Sequence, residues 1–137
     1  MQYAMFDKLS NELILLARIL LVVLFVMFGW SKLTDFSGTV GYMASEGLPL
    51  PTLAAVAVIL MEFFVGLAIV LGFCTRPLAL LLALYTLGTA FIGHPYWTME
   101  GAERMANMIN FYKNFSIIGG LLLLCVTGPG RYSIDRR

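Results

Sequence analysis

Between Glu46 and Arg76 the chain carries one charged residue, Glu62, inside a run that is otherwise apolar. The run begins at Pro51 and ends at Pro77. About 20 apolar residues in a helix cross a hydrocarbon core of roughly 30 Å. The stretch is therefore a membrane span with a carboxylate near its middle. A charge at that depth costs about 2.5–3.5 kcal/mol on insertion scales. The surrounding Leu, Ile, Val and Phe outweigh that cost. A carboxylate at mid-membrane turns toward the inside of a helix bundle, where polar partners are found. The rest of the chain must supply the bundle and the partners.

Composition agrees. Of the 137 residues, 60% are hydrophobic and 12% charged, against about 25% charged in soluble domains. Too few charges remain to cover a soluble surface, so the expected partner of the surface is a lipid bilayer. The length suits one bundle, residues 1–137 as a single domain. A net charge of +1 gives no field for nucleic acid. Cys74 and Cys125 are isolated, without the CxxC spacing of dithiol chemistry. The apolar run after Arg18 ends in Gly-Trp-Ser-Lys with no small-x-small cleavage site, which favours an uncleaved first span over a signal peptide.

Taken in order, the chain predicts an all-α membrane protein. It is a four-transmembrane-helix bundle, with spans at about 13–33, 52–72, 77–93 and 107–127 and a short interfacial helix between the first two. Ser10 or Asn11 is placed to cap the first span. Arg18, Val22, Phe25, Gly29 and Lys32 recur at helical spacing and form one stripe facing the bundle. Thr34 or Asp35 caps a short helix that Gly47 ends. Its face of Phe36, Val40 and Met43 suits the membrane surface. In the second span Ala55 and Gly66 flank Glu62 and allow close helix approach. Pro77 is expected at the first position of the third span, whose least apolar face is Tyr85, Gly88, Thr89 and Ile92. Glu100 and Arg104 stand as a favourable i,i+4 pair at the exposed start of the fourth helix. Asn107, Asn110, Lys113, Asn114 and Ile117 line one side of it, and Gly128-Pro-Gly130 stops it.

Four crossings put both ends on one side. Lys8, Arg76, Arg131, Arg136 and Arg137 lie there, with Arg18 just inside. Lys32, Arg104 and Lys113 lie toward the other side. The excess of cations assigns both termini to the cytoplasm. Trp30, Tyr96, Trp97 and Tyr112 then form an aromatic belt at the outer interface.

At about 1.5 Å per residue, Lys32, His94, Lys113 and Asn114 fall in the outer third, Glu62 about half-way down and Arg18 deeper. This polar ladder, rich in cations, suits an anionic or carbonyl-bearing ligand, or an ion-paired Glu62. Plainer readings stand beside it. Arg18, Lys32 and Lys113 can snorkel to the nearest interface. His94, alone before Pro95, can be a hydrogen-bonding loop residue. Glu62 can be a structural ion pair with Arg18 or Lys32. The asparagines can be interhelical glue, and both cysteines small packing residues. No metal-ligand cluster, GxGxxG or P-loop is present. One histidine cannot supply a bis-histidine haem.

The order of motifs adds a resemblance. Arg18, then Gly29-Trp-Ser-Lys32-Leu, Gly47-Leu-Pro, Glu62-x-x-x-Gly66 and Gly72-x-x-Thr-Arg76-Pro77 are followed by Gly93-His94, Lys113-Asn114 and Gly128-Pro-Gly-x-x-Ser-x-Asp135-Arg. The set resembles the DoxX family over nearly the whole chain. The resemblance implies a four-helix protein of the bacterial inner membrane, linked through its relatives to quinone oxidoreduction. On it rests the expectation of a quinone-linked redox protein or accessory subunit of a membrane oxidoreductase, with quinone as the candidate cofactor. Glu62 would then be the proton donor or acceptor, and Arg18, Lys32, His94, Lys113 and Asn114 the polar cavity. The alternatives are a small proton-coupled transporter using Glu62, and a structural assembly factor. A homo-oligomer is the other partner considered.

Overall fold

A computed structural model of the chain describes residues 3–136. Met1, Gln2 and Arg137 lie outside them, and so does Arg137's contribution to the inner-side charge. The described residues form helices joined by short turns: α1 (Ala4–Lys8), α2 (Ser10–Thr34), α3 (Phe36–Ser45), α4 (Pro51–Leu71), α5 (Thr75–Gly93) and α6 (Gly101–Thr127). A single 3-10 turn, Tyr96–Thr98, joins α5 to α6. Four helical stretches, Ser10–Thr34, Pro51–Leu71, Thr75–Thr98 and Gly101–Thr127, are long and apolar enough to cross a membrane. Their large apolar side chains point outward as often as inward: Leu20, Phe28, Leu84 and Leu123 are exposed, as a lipid-facing surface requires.

The apolar core sits toward the end of the bundle where the termini meet. Val22 and Phe25 of α2, Ile69 of α4, Leu82 of α5, and Leu121 and Leu124 of α6 close around it. The two ends of the chain are tied together there. The Arg131 amide donates to Asn11 Oδ1 at 2.9 Å, and the Tyr132 hydroxyl to Glu12 Oε1 at 3.2 Å.

Arg18 organises this end. Its side chain is 1% exposed. It donates to the backbone carbonyls of Pro129, of Val70 at 3.0 Å and of Tyr132 at 2.6 Å. Carbonyls at helix ends have no intrahelical donor, so one guanidinium gathers α4 and the tail onto α2. The tail then runs along the end of α4, with the Ile134 amide on Leu71 O and the Asp135 amide on Gly72 O. Gly72, at φ +72, lets Ser133 lie where a side chain would otherwise stand. Arg76 does the same for α6, donating to Cys125 O at 2.9 Å and Val126 O at 2.5 Å.

Several expectations change. Ser10 and Asn11 do not cap α2. The helix starts straight after α1: the Leu9 amide donates to Met5 O, the Ser10 hydroxyl to Asp7 O, and Asn11 accepts from Arg131. The interfacial helix is present and Asp35 caps it, its carboxylate accepting from the Gly38 amide at 3.3 Å. Its inward face, however, is Thr39 and Met43, while Phe36 is exposed. The Thr39 hydroxyl, donating to Lys32 O and Asp35 O, turns that face to the bundle. Pro77 is the third residue of α5, not the first. The helix begins earlier because the Asp135 carboxylate accepts from the amides of Cys74 at 3.0 Å and Thr75 at 2.8 Å. Glu100 and Arg104 do not pair. The Arg104 guanidinium lies over the Tyr96 ring, 5.4 Å from its centroid, and among the described residues Lys32–Glu62 is the salt bridge formed.

Candidate functional site

Residues Leu60–Val65 widen α4 into one turn of π-helix. Such turns are rare and recur at functional sites. Glu62 lies within it, 8% exposed. Opposite, α2 comes into backbone contact at Gly29, where an added Cβ would meet the Phe63 backbone. Lys32, one turn beyond Gly29, is thereby brought to Glu62. Its Nζ donates to Glu62 Oε1 at 2.7 Å. The second carboxylate oxygen, Oε2, accepts from the Tyr85 hydroxyl at 2.5 Å. Three helices thus meet at one carboxyl group.

This group forms the floor of a cavity of about 570 Å³. Leu24, Phe25 and Phe28 of α2 and Val58 of α4 give it apolar walls. Tyr42, Met43 and Glu46 roof it from α3 and the turn that follows. His94, Lys113 and Asn114 line the side formed by α5 and α6. The polar side chains on that wall are held in place. His94 Nδ1 lies 2.9 Å from Asn107 Oδ1, and Lys113 Nζ donates to Asn110 Oδ1 at 3.2 Å. Asn114 Nδ2 donates to Thr86 O at 3.3 Å and to Thr89 Oγ1 at 3.2 Å. At the roof, burial pushes the Tyr42 phenol above its ordinary pKa, and the Glu46 and Glu62 carboxylates push it further.

Five of the six sequence-expected site residues line this one cavity: Glu62, Lys32, His94, Lys113 and Asn114. Arg18 does not. It lies at the other end of the bundle, bound to carbonyls, so of the two cations offered to Glu62 it is Lys32 that pairs. Sequence reasoning missed Tyr85 as a partner of the carboxylate, and Tyr42 and Glu46 as cavity groups. A tyrosine in mid-span beside Gly88 and Thr89 was the available signal for Tyr85. Nothing in the spacing marks the π turn. Cys74 is exposed, and the Cys125 thiol donates to Arg76 O at 3.3 Å, so neither reaches the cavity. Among the described residues, no group of three or more His, Cys, Asp or Glu side chains is placed to hold a metal ion.

The arrangement is an amphiphilic site. The walls are apolar, Lys113 presents an ammonium group, and a carboxyl group at the floor is positioned through both oxygens. Comparison with known proteins narrows the setting. The family model described as DoxX matches residues 13–95. The chain is 53% identical over 137 residues to Inner membrane protein YphA of Escherichia coli (strain K12), covering 100% of this chain and 98% of that protein. It is 48% identical over 132 residues to Inner membrane protein YqjF of the same organism, covering 94% of each. It is also similar to the ER-derived vesicles protein ERV29 of Saccharomyces cerevisiae, 28% identical over 96% of this chain and 35% of that protein. No solved structure matches the chain significantly.

Proposed function

This chain belongs to the DoxX family, and on that premise we propose that it is a quinone-binding protein of the bacterial inner membrane that serves a membrane oxidoreductase. The observation that carries the reading is the Glu62 carboxyl group, fixed by Lys32 and Tyr85 at the floor of an apolar cavity. The residues present fit a quinone headgroup. Phe25 and Phe28 offer ring faces, Lys113 offers a donor to a carbonyl oxygen, and Leu24 and Val58 accept an apolar substituent. A bound quinone would supply two-electron, two-proton chemistry, with the electrons coming from the partner enzyme and the protons passing one at a time through Glu62. Glu62 holds and transfers a proton at its carboxyl oxygens. Lys32 and Tyr85 fix its orientation.

A proton-coupled transporter would need Glu62 to be reached from both membrane faces in turn. Below the carboxylate, Val22, Ile69, Leu82 and Leu121 are each 0% exposed and packed together. That closed half favours a one-sided binding site. A purely structural assembly factor has no use for a cavity with a charged floor.

The test is a titration of the purified protein in lipid nanodiscs with a short-tailed benzoquinone, followed by tryptophan quenching. Saturable binding, weakened about tenfold or more in Glu62→Gln and in Lys113→Met with folding intact, is expected. Absence of saturable binding to the parent protein, or binding indifferent to both substitutions, overturns the reading.

A further inference from the structure

A proton can reach the Glu62 carboxyl group only through the cavity. The opposite side is the dry core of Val22, Ile69, Leu82 and Leu121. Both carboxylate oxygens are already engaged, Oε1 by Lys32 and Oε2 by Tyr85. One other carboxylate lines the same cavity, that of Glu46. It is half-buried at the roof, immediately after α3, where one side meets the cavity and the other the surface. Tyr42 lies four residues earlier on α3, one turn away on the same face. Its phenol also lines the cavity and lies within the field of both Glu46 and Glu62.

The remaining titratable groups around the cavity are less suited. Lys32 of α2 is the counter-ion of Glu62, and Lys113 of α6 is held by Asn110. His94, after α5, is turned to Asn107 on the far wall. The route with an acid at each end and hydroxyl groups between them is the one from the roof.

We propose that Glu46 is the proton-exchange group between outside water and Glu62, with the hydroxyls of Tyr42 and Tyr85 as intermediate steps. The proposal rests on the reading of Glu62 as a proton carrier. The O–H bond of the Glu46 acid breaks as Tyr42 oxygen accepts its proton. Tyr42 releases its own proton toward Tyr85, across water in the cavity, since 570 Å³ far exceeds the share of about 30 Å³ that one water takes in the liquid. Tyr85 passes its proton to Glu62 Oε2. Each hydroxyl ends with one proton, Glu46 becomes a carboxylate, Glu62 becomes an acid, and no electron moves.

The test needs no quinone, which separates its failure from that of the binding reading. The protein in nanodiscs is subjected to a pH jump while the carboxylic C=O stretch is followed by infrared spectroscopy. The Glu62 band is assigned by its loss in Glu62→Gln. Glu46→Gln and Tyr42→Phe should each slow its appearance about tenfold or more with the final amplitude kept, and Glu46→Asp should restore most of the rate. Size-exclusion profiles establish that the variants fold. An unchanged rate in Glu46→Gln, or no Glu62 band in the parent protein at any pH, overturns the proposal. If the quinone titration fails while Glu46→Gln still slows the band, the ligand reading falls and the proton route stands.

Discussion

A Cβ placed on Gly29 would lie 2.5 Å from the backbone nitrogen of Phe63. No real side chain tolerates that separation, so α2 and the π turn of α4 touch backbone to backbone, as small residues allow between membrane helices. The contact sets the level of Lys32 against Glu62. Gly29→Ala should push the helices apart, cost about 1–3 kcal/mol as overpacking does, and weaken the ion pair. Thermal unfolding in detergent checks the first effect, and the Lys32 dependence of stability in the variant checks the second. A fully stable Gly29→Ala protein would show that the contact yields.

The Lys32 and Glu62 side chains are 27% and 11% exposed, so the pair is buried enough to couple. Removing one partner of a fully buried pair costs about 3–5 kcal/mol. The residual exposure of Lys32 lowers the expectation to about 1–3 kcal/mol for Glu62→Gln. Lys32→Met combined with Glu62→Gln should be less destabilising than the two single losses added. Strict additivity would mean that the bridge contributes no coupling.

Arg18 joins α2 to Val70, Pro129 and Tyr132. Arg18→Gln strands these carbonyls, at about 1–3 kcal/mol for each buried group left unsatisfied. Lysine lacks the planar fork and should rescue little. The tail should come free, making the bond after Arg131 sensitive to trypsin in mild conditions. A variant with parental stability and an uncut tail would refute this role.

Cys74 adopts a left-handed backbone, φ +47, which costs a side-chain-bearing residue on the order of 1 kcal/mol. Cys74→Gly should therefore hold or raise the unfolding temperature, and Cys74→Val should lower it. Cys74→Ala together with Cys125→Ala should leave quinone affinity unchanged. Loss of binding in a folded double variant would point to thiol chemistry.

The cation count predicts that both termini face the cytoplasm. Reporter domains fused after the last residue of the chain should be active only if they work on the inner side. A periplasm-active signal there would invert the orientation, and with it the side from which Glu46 meets water.

The spans were legible because hydropathy registers lipid exposure directly, and the stripe from Arg18 to Lys32 was legible because helical period registers a shared face. Those same signals could not choose between Arg18 and Lys32 as the partner of Glu62. Arg18 is satisfied by backbone carbonyls, which every residue has and no sequence pattern announces. Glu62 also gains Tyr85, and their meeting depends on the π turn. Leu60-Met-Glu-Phe-Phe-Val carries no proline or glycine to betray that turn. The start of α5 was misplaced for a related reason: its cap comes from Asp135, 60 residues away in sequence.

The distance in sequence between Arg18 and its acceptors also has a consequence in time. Pro129 and Tyr132 follow it by 111 and 114 residues. At a synthesis rate of about 5–20 residues per second, the first span spends on the order of 5–20 s with a guanidinium for which Val70 O alone of its three acceptors can yet exist. During that interval it must stay in the bilayer on its own apolarity. Leu13, Leu16 and Leu20, which make no core in the finished protein and are 43%, 54% and 62% exposed, are the side chains that hold it there. Nascent chains stalled short of residue 129 should lose membrane integration when these leucines are made polar, at a stage when the completed protein, already closed around Arg18, would keep it.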